Sequence, residues 1–264
     1  MGGKRLRLDE ALVIQNLAET RARARALVMA GDVLVDGEVS RVAGKPVRPE
    51  QTLALRERQR FVSRGGEKLD HALDEFSIDV VDAVCADFGA STGGFTDCLL
   101  LRNARKVYAI DVGYGQLHSK IRDDTRVVVM ERVNVRLLAE LPEPVDGVVI
   151  DVSFISLRLV LPVAAKILKS GGWCVPLIKP QFEAGRGQVG KGGVVRDPTV
   201  HEQVIREVMN ASIPLALMPQ AITTSPITGP AGNVEFLAAL IKDGSTSMSV
   251  DDLVASLEFG HAAV

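Results

Sequence analysis

The chain has 264 residues, 47% of them hydrophobic and 24% charged, the balance of a globular protein with room for one large core or two unequal ones. No run of about eighteen apolar residues occurs, residues 1–9 lack the apolar stretch of a secretory signal, and three cysteines cannot staple a disulfide scaffold or build a Cys-rich zinc site, so a cytoplasmic protein with no membrane and no metal is expected. The net charge of −2 divides into +4 for residues 1–60 and −6 for the rest, which suggests a basic module for a polyanion joined to an acidic body. Apolar residues at Leu8, Ala11, Leu12, Ile14 and Leu17 predict a helix over 8–17. Thr20 is a cap for a second helix over 21–30, which Gly31 ends. On it, Ala22, Ala26, Met29 and Ala30 share one face and Arg21 and Arg25 another. Val33, Leu34, Val35 and Val39 flank Asp36-Gly37, a hairpin signature, and 53–55 reads as one more extended piece.

Arg7-Leu8-Asp9, Thr20-Arg21-x-x-Ala24 and Gly31-x-Val33-x-Val35-Asp36-Gly37 together resemble the S4-type RNA-binding domain over roughly residues 5–56. The resemblance implies that the second helix and the N-terminal basic residues meet folded RNA. Arg5, Arg7, Arg21 and Arg25 suit that role, because guanidinium groups neutralise phosphates without reading sequence. The competing reading is a merely solvated helix face.

From residue 83 the texture changes. Apolar runs at 83–88, 106–110, 127–130, 145–150 and 173–178 alternate with helical stretches at 94–102 and 158–169. Two further strands are expected at 215–223 and 233–240, and a short helix at 252–259. Such alternation predicts an α/β fold, a doubly wound, mainly parallel, seven-stranded Rossmann-like sheet preceded by a small α+β domain. The expected domains are 1–58, a linker at 59–64, 65–243, and a tail at 244–264.

Asp87, Gly89, Ala90, Ser91, Gly93 and Gly94 form a glycine-rich turn between the first strand and its helix. A dinucleotide fingerprint wants glycine where Ser91 stands, and a phosphate loop wants lysine where Phe95 stands. S-adenosylmethionine has no phosphates and a cationic methionine end, and it suits an acidic turn without lysine best. Asp111, at the end of the second strand, is placed to accept from both ribose hydroxyls of an adenosine, and Asn134 to reach the adenine edge.

Lys68 opens a helix before the sheet, Asp151 closes the fourth strand, Lys179 closes the fifth, and Glu235 begins the last, antiparallel one. In an open sheet the carboxyl ends of the strands form one rim, which gathers these groups beside the cofactor. A ribose hydroxyl needs a base to become a nucleophile; Lys179 is the candidate, with Lys68 the neighbouring cation and Asp151 and Glu235 fixing geometry.

Asp87-x-Gly-Ala-Ser-Thr-Gly-Gly-Phe-Thr, Asp111-Val-Gly-Tyr-Gly-Gln-Leu, Asp151-Val-Ser-Phe-Ile-Ser-Leu, Lys179-Pro-Gln-Phe-Glu and Gly190-Lys-Gly-Gly-Val-Val-Arg-Asp resemble, in order, the TlyA-type or hemolysin A family. The resemblance implies S-adenosylmethionine-dependent 2′-O-methylation of cytidine in ribosomal RNA by an FtsJ-like domain. It implies a Lys-Asp-Lys-Glu tetrad at Lys68, Asp151, Lys179 and Glu235, and ribosomal subunits as partners. Three rival readings remain. An amino-group methyltransferase would want prolines after Asp151, which Val152-Ser153 does not supply. A membrane-active toxin would want an amphipathic or apolar segment, and none is visible. An RNA-binding protein without catalysis would not need the lysines. The glycine-rich stretch 183–197, with Arg186 and Lys191, is expected to be a mobile loop that closes over RNA, or else a disordered connection, while Arg132 and Arg136 are expected to touch phosphates.

Overall fold

The computed structural model describes residues 5–56, 60–246 and 248–257, without the side chain of Arg186, and divides into two units at Gln59/Arg60. The first unit contains β1 (Leu6–Arg7), α1 (Leu8–Ile14), α2 (Arg21–Ala30), β2 (Val33–Val35), β3 (Glu38–Val39), β4 (Pro46–Val47) and β5 (Leu53–Leu55). As expected, Thr20 Oγ1 accepts from Arg23 N at 3.2 Å, and Gly31 ends α2 at φ +80. The β2–β3 turn has positive φ at both Asp36 (+52) and Gly37 (+84), the conformation that lets a two-residue hairpin follow the strand twist. The face of α2 that packs is Ala24 and Val28, with Leu27 half-buried; Ala22, Ala26, Met29 and Ala30 are exposed. Leu8 and Leu12 of α1 fill the space beneath Ala24 and Val28, leaving the alternating arginines of α2 in water.

The second unit runs α3 (Gly65–Glu75), β6 (Val84–Phe88), α4 (Gly94–Leu101), β7 (Lys106–Asp111), α5 (Ser119–Arg122), β8 (Val127–Glu131), β9 (Val145–Ile150), α6 (Leu161–Ile167), β10 (Leu168–Ile178), α7 (Pro180–Glu183), α8 (Pro198–Ser212), β11 (Leu217–Thr224), β12 (Phe236–Lys242) and α9 (Val250–Ala255). The described residues build a seven-stranded sheet in the order β11-β12-β10-β9-β6-β7-β8, and β12 runs against its neighbours. Along β6 and β7 alternate residues enter opposite cores. Val84, Ala86, Phe88, Tyr108 and Ile110 meet α6 and α8, while Cys85, Val107 and Ala109 meet α3 and α4. Burial on both faces explains why these strands read as unbroken apolar runs.

Four boundaries depart from expectation. The first helix stops at Ile14, with Asn16 at φ +56. α6 begins at Leu161 after a 3₁₀ turn at Leu157–Leu159 and gives way to β10 at Leu168. The last strand starts at Phe236 rather than 233, because the Asn233 side chain is bonded to another segment and the chain joins the ladder only from there. The C-terminal helix spans Val250–Ala255, and its expected end lies outside the described residues. Strand order reverses between β6 and β9, which places the crevice of a doubly wound sheet at the ends of these two strands.

Candidate functional site

The loops after β6 and β9 part at that crevice. Asp151 N donates to Phe88 O at 2.9 Å, and the next residue, Gly89, turns away at φ +88. A β-carbon on Gly89 would stand 2.5 Å from Asp151 O, so only glycine fits between the loops. Gly93, at φ +95, opens α4 without a side-chain cap.

Asp87 lies fully buried beneath this turn. Thr96 Oγ1 donates to its Oδ2 at 2.6 Å, while Oδ1 has no partner among the described residues. Burial, aided by the charges of Asp151 and Asp111, pushes its carboxyl up to about 7 against the hydrogen bond from Thr96. The folded state therefore holds a proton that the unfolded chain releases near 3.8, and stability falls as pH rises from about 4 through 7. The slope approaches about 1.4 kcal/mol per pH unit. Asp87→Asn is expected to remove that slope in urea-midpoint measurements at pH 5 and 8; an unchanged slope would place the titration elsewhere.

Asp111 ends β7 with both oxygens engaged. Oδ2 accepts from Ser91 N at 2.8 Å and Oδ1 from Gly113 N at 2.6 Å. Ala90, Ser91, Asp111, Gly113, Gln116 and Glu131 help line a small pocket beside this turn. Asn134 does not line it: its Oδ1 accepts from Arg136 N at 3.1 Å as the cap of a 3₁₀ turn.

Lys68 and Glu235 form a buried ion pair across 167 positions. Glu235, the residue before β12, lies on the same side as Leu237, which packs with α3, so Lys68 meets Glu235 while His71, one turn on, lies 3.2 Å from Thr223 Oγ1. Lys179, at the end of β10, sits 2.6 Å from Asp151 Oδ1 and donates to Val152 O (3.0 Å) and Ser153 Oγ (3.1 Å). Gln181 follows Lys179 by two residues, and its Nε2 donates to Glu235 Oε1 at 3.4 Å. The structure thus brings all four tetrad residues to one rim with Gly89.

Sequence reasoning missed several residues here. Glu183 accepts from Ser156 Oγ and Leu157 N, both at 2.6 Å, which ties α7 to the loop after β9; burial raises its carboxyl. Buried Asn233 donates to Gly193 O (2.9 Å) and accepts from Val195 N (3.0 Å), so it anchors the end of the glycine-rich stretch beside Glu235. Residues 185–193 between these ties are mostly exposed, including Lys191, and the Arg186 side chain lies outside the described residues. Phe154, 90% exposed at φ +61, rests against Phe182 with ring centres 4.9 Å apart. An asparagine or glutamate directly inside a catalytic motif was the available signal for the first two; nothing local marks Phe154 as exposed.

The basic residues differ in their freedom. Arg7 donates to both oxygens of buried Asp9 (3.0 and 2.9 Å), and Arg21 to Oδ2 at 3.3 Å, yet their side chains stay 46% and 52% exposed. Arg5, Arg25 and Arg136 are exposed, and Arg132 stacks 4.2 Å from the Tyr114 ring centre. Cys85, Cys98 and Cys174 are buried and unpaired, with burial pushing the Cys98 thiol up to about 12. Among the described residues, no His, Cys, Asp or Glu cluster could hold a metal, and no helix is long and apolar enough to cross a membrane.

The FtsJ-like methyltransferase family model matches residues 61–242, and the S4 domain model matches residues 6–53. YqxC of Bacillus subtilis is 47% identical over 91% of this chain and 87% of its own. A Mycobacterium tuberculosis protein named 16S/23S rRNA (cytidine-2′-O)-methyltransferase TlyA is 42% identical over 95% of both chains. A solved structure of a Streptococcus thermophilus protein that carries a hemolysin name is 44% identical, covers 95% of this chain and 94% of its own, and superposes with a TM-score of 0.71.

Proposed function

The chain belongs to the FtsJ-like methyltransferase family, and from that premise we propose that it methylates the 2′-hydroxyl of a cytidine in ribosomal RNA, with S-adenosylmethionine as donor. The observation that carries the reading is the meeting of the Gly89 turn with the Lys179–Asp151 pair at one crevice, where a β-carbon on Gly89 would touch Asp151 O.

The residues present fit the donor. The unpartnered Oδ1 of Asp87 suits its ammonium group, and the narrow Gly89–Gly94 turn, with Ala90, Ser91 and Gly93, lets a ligand approach the main chain. Asp111 keeps lone pairs for ribose hydroxyls beyond its two amide bonds, and the Asn134 amide retains its N–H donors for adenine. When bound, the donor supplies an electrophilic methyl group on a sulfonium.

The chain's own groups then serve the acceptor. Lys179 as the neutral amine takes the hydroxyl proton and becomes the ammonium that Asp151 pairs with, Asp151 and Ser153 aim its nitrogen, and the Lys68–Glu235 pair fixes the opposite wall. Arg5, Arg7, Arg21 and Arg25, with Arg132, Arg136, Arg186 and Lys191, supply phosphate contacts that position RNA without specifying it. In that reading Arg7 and Arg21 arrive already held by Asp9, which reduces the side-chain freedom lost on binding.

Labelled methyl transfer to purified 30S and 50S subunits tests this. Label is expected in the RNA of at least one subunit; no label in either, or leakage of dye-loaded vesicles without methyl transfer, would overturn it.

A further inference from the structure

We propose that Gln181 binds the target nucleotide, its side-chain carbonyl accepting an N–H or O–H donor from it. This rests on the methyl-transfer reading above and extends it to a residue outside the tetrad. The orientation of the amide is fixed by its surroundings. Glu235 carries an ion pair with Lys68, so its carboxylate can only accept, and the group that faces it at 3.4 Å must be the Gln181 amide nitrogen. The carbonyl oxygen is thereby turned away from Glu235. It is buried, yet no donor among the described residues reaches it. A buried carbonyl without a donor is uncommon in a folded protein and calls for an explanation.

Its place supplies one. Gln181 lies two residues after Lys179, on the turn that leaves the carboxyl end of β10, and touches the carboxylate that holds Lys68. An acceptor beside Glu235, just past the carboxyl end of β10, lies on the rim that the nucleotide must reach. Two donors on a cytidine suit it: a ribose hydroxyl and the exocyclic amine. A uridine shares only the first, because it presents a carbonyl in place of the amine.

The test uses the full chain, with Gln181→Met, which keeps the bulk and loses the acceptor, and Gln181→Asn, which keeps the amide but withdraws it. KM and kcat are measured on subunits that carry the mapped target as cytidine or as uridine. A rise of about tenfold in KM for cytidine subunits is expected, with an unchanged melting temperature. If the rise vanishes with uridine, the donor is the amine; if it persists, the amine is dispensable and the donor is the ribose hydroxyl or, in uridine, its N3–H. A KM within twofold of wild type would overturn the proposal, including the case where kcat alone falls, since that result assigns Gln181 only to holding Glu235. Gln181→Asn decides in the same way should Gln181→Met not fold. Failure of the methyl-transfer reading shows separately, as an inactive wild type.

Discussion

Lys179→Ala is expected to lower methyl transfer by roughly 10²–10⁴-fold, the range of a general base, while S-adenosylmethionine binding persists. The side chain is nearly buried, and three oxygens converge on its nitrogen: Asp151 Oδ1, Val152 O and Ser153 Oγ. Such convergence costs side-chain entropy, and it aims the nitrogen at one spot on the rim. Removing the lysine leaves Asp151 25% exposed and able to take up water, so the stability cost stays near about 1 kcal/mol or less. Lys179→Arg separates the two roles that a cation can have here. Arginine keeps the charge but does not give up its proton in proteins, so the base role predicts that it is as inactive as alanine. Substantial turnover by Lys179→Arg would make the residue an electrostatic contact and remove the base assignment.

Glu235→Ala is expected to be among the most destabilising single changes in the second unit, by about 3–5 kcal/mol, because it strands the buried ammonium of Lys68. For a unit of this size that corresponds to a fall in melting temperature of roughly 6–20 °C. The double variant Lys68→Met/Glu235→Leu removes both charges and is expected to recover most of the loss, since a buried ion pair is often no better than apolar residues of similar volume. It should remain inactive. The cycle of single and double variants isolates the coupling. Recovery of stability without activity assigns the pair to chemistry; if the double variant is as unstable as the single one, the pair is chiefly structural.

Much of this site is written locally in the chain. The turn at Gly89–Gly94 announces itself because only glycine tolerates φ +88 against a neighbouring backbone, and Asp111 because a carboxylate at a strand end has few other uses. Lys68 and Glu235 were each visible, but their pairing was not, since 167 residues separate them and only the covering of β12 by α3 brings them together. The same limit applies to Asn233, whose two hydrogen bonds cross about forty positions to Gly193 and Val195 and shorten the last strand. On α2 the expected face, Ala22, Ala26, Met29 and Ala30, is the exposed one. The choice of Ala24 and Val28 was made by Leu8 and Leu12 of another helix, which no pattern within α2 encodes.

The central claim is that this rim acts on a sugar hydroxyl, and the position of the transferred methyl group tests it most directly. Subunits treated with the enzyme and labelled donor are digested to nucleosides, and the methyl group is assigned to ribose or base by mass spectrometry. Cytidine methylated on its 2′-oxygen, absent when Lys179→Ala replaces the wild type, is the expected result. Methyl on a base nitrogen or carbon, or ribose methylation that survives Lys179→Ala at the wild-type rate, would contradict the account.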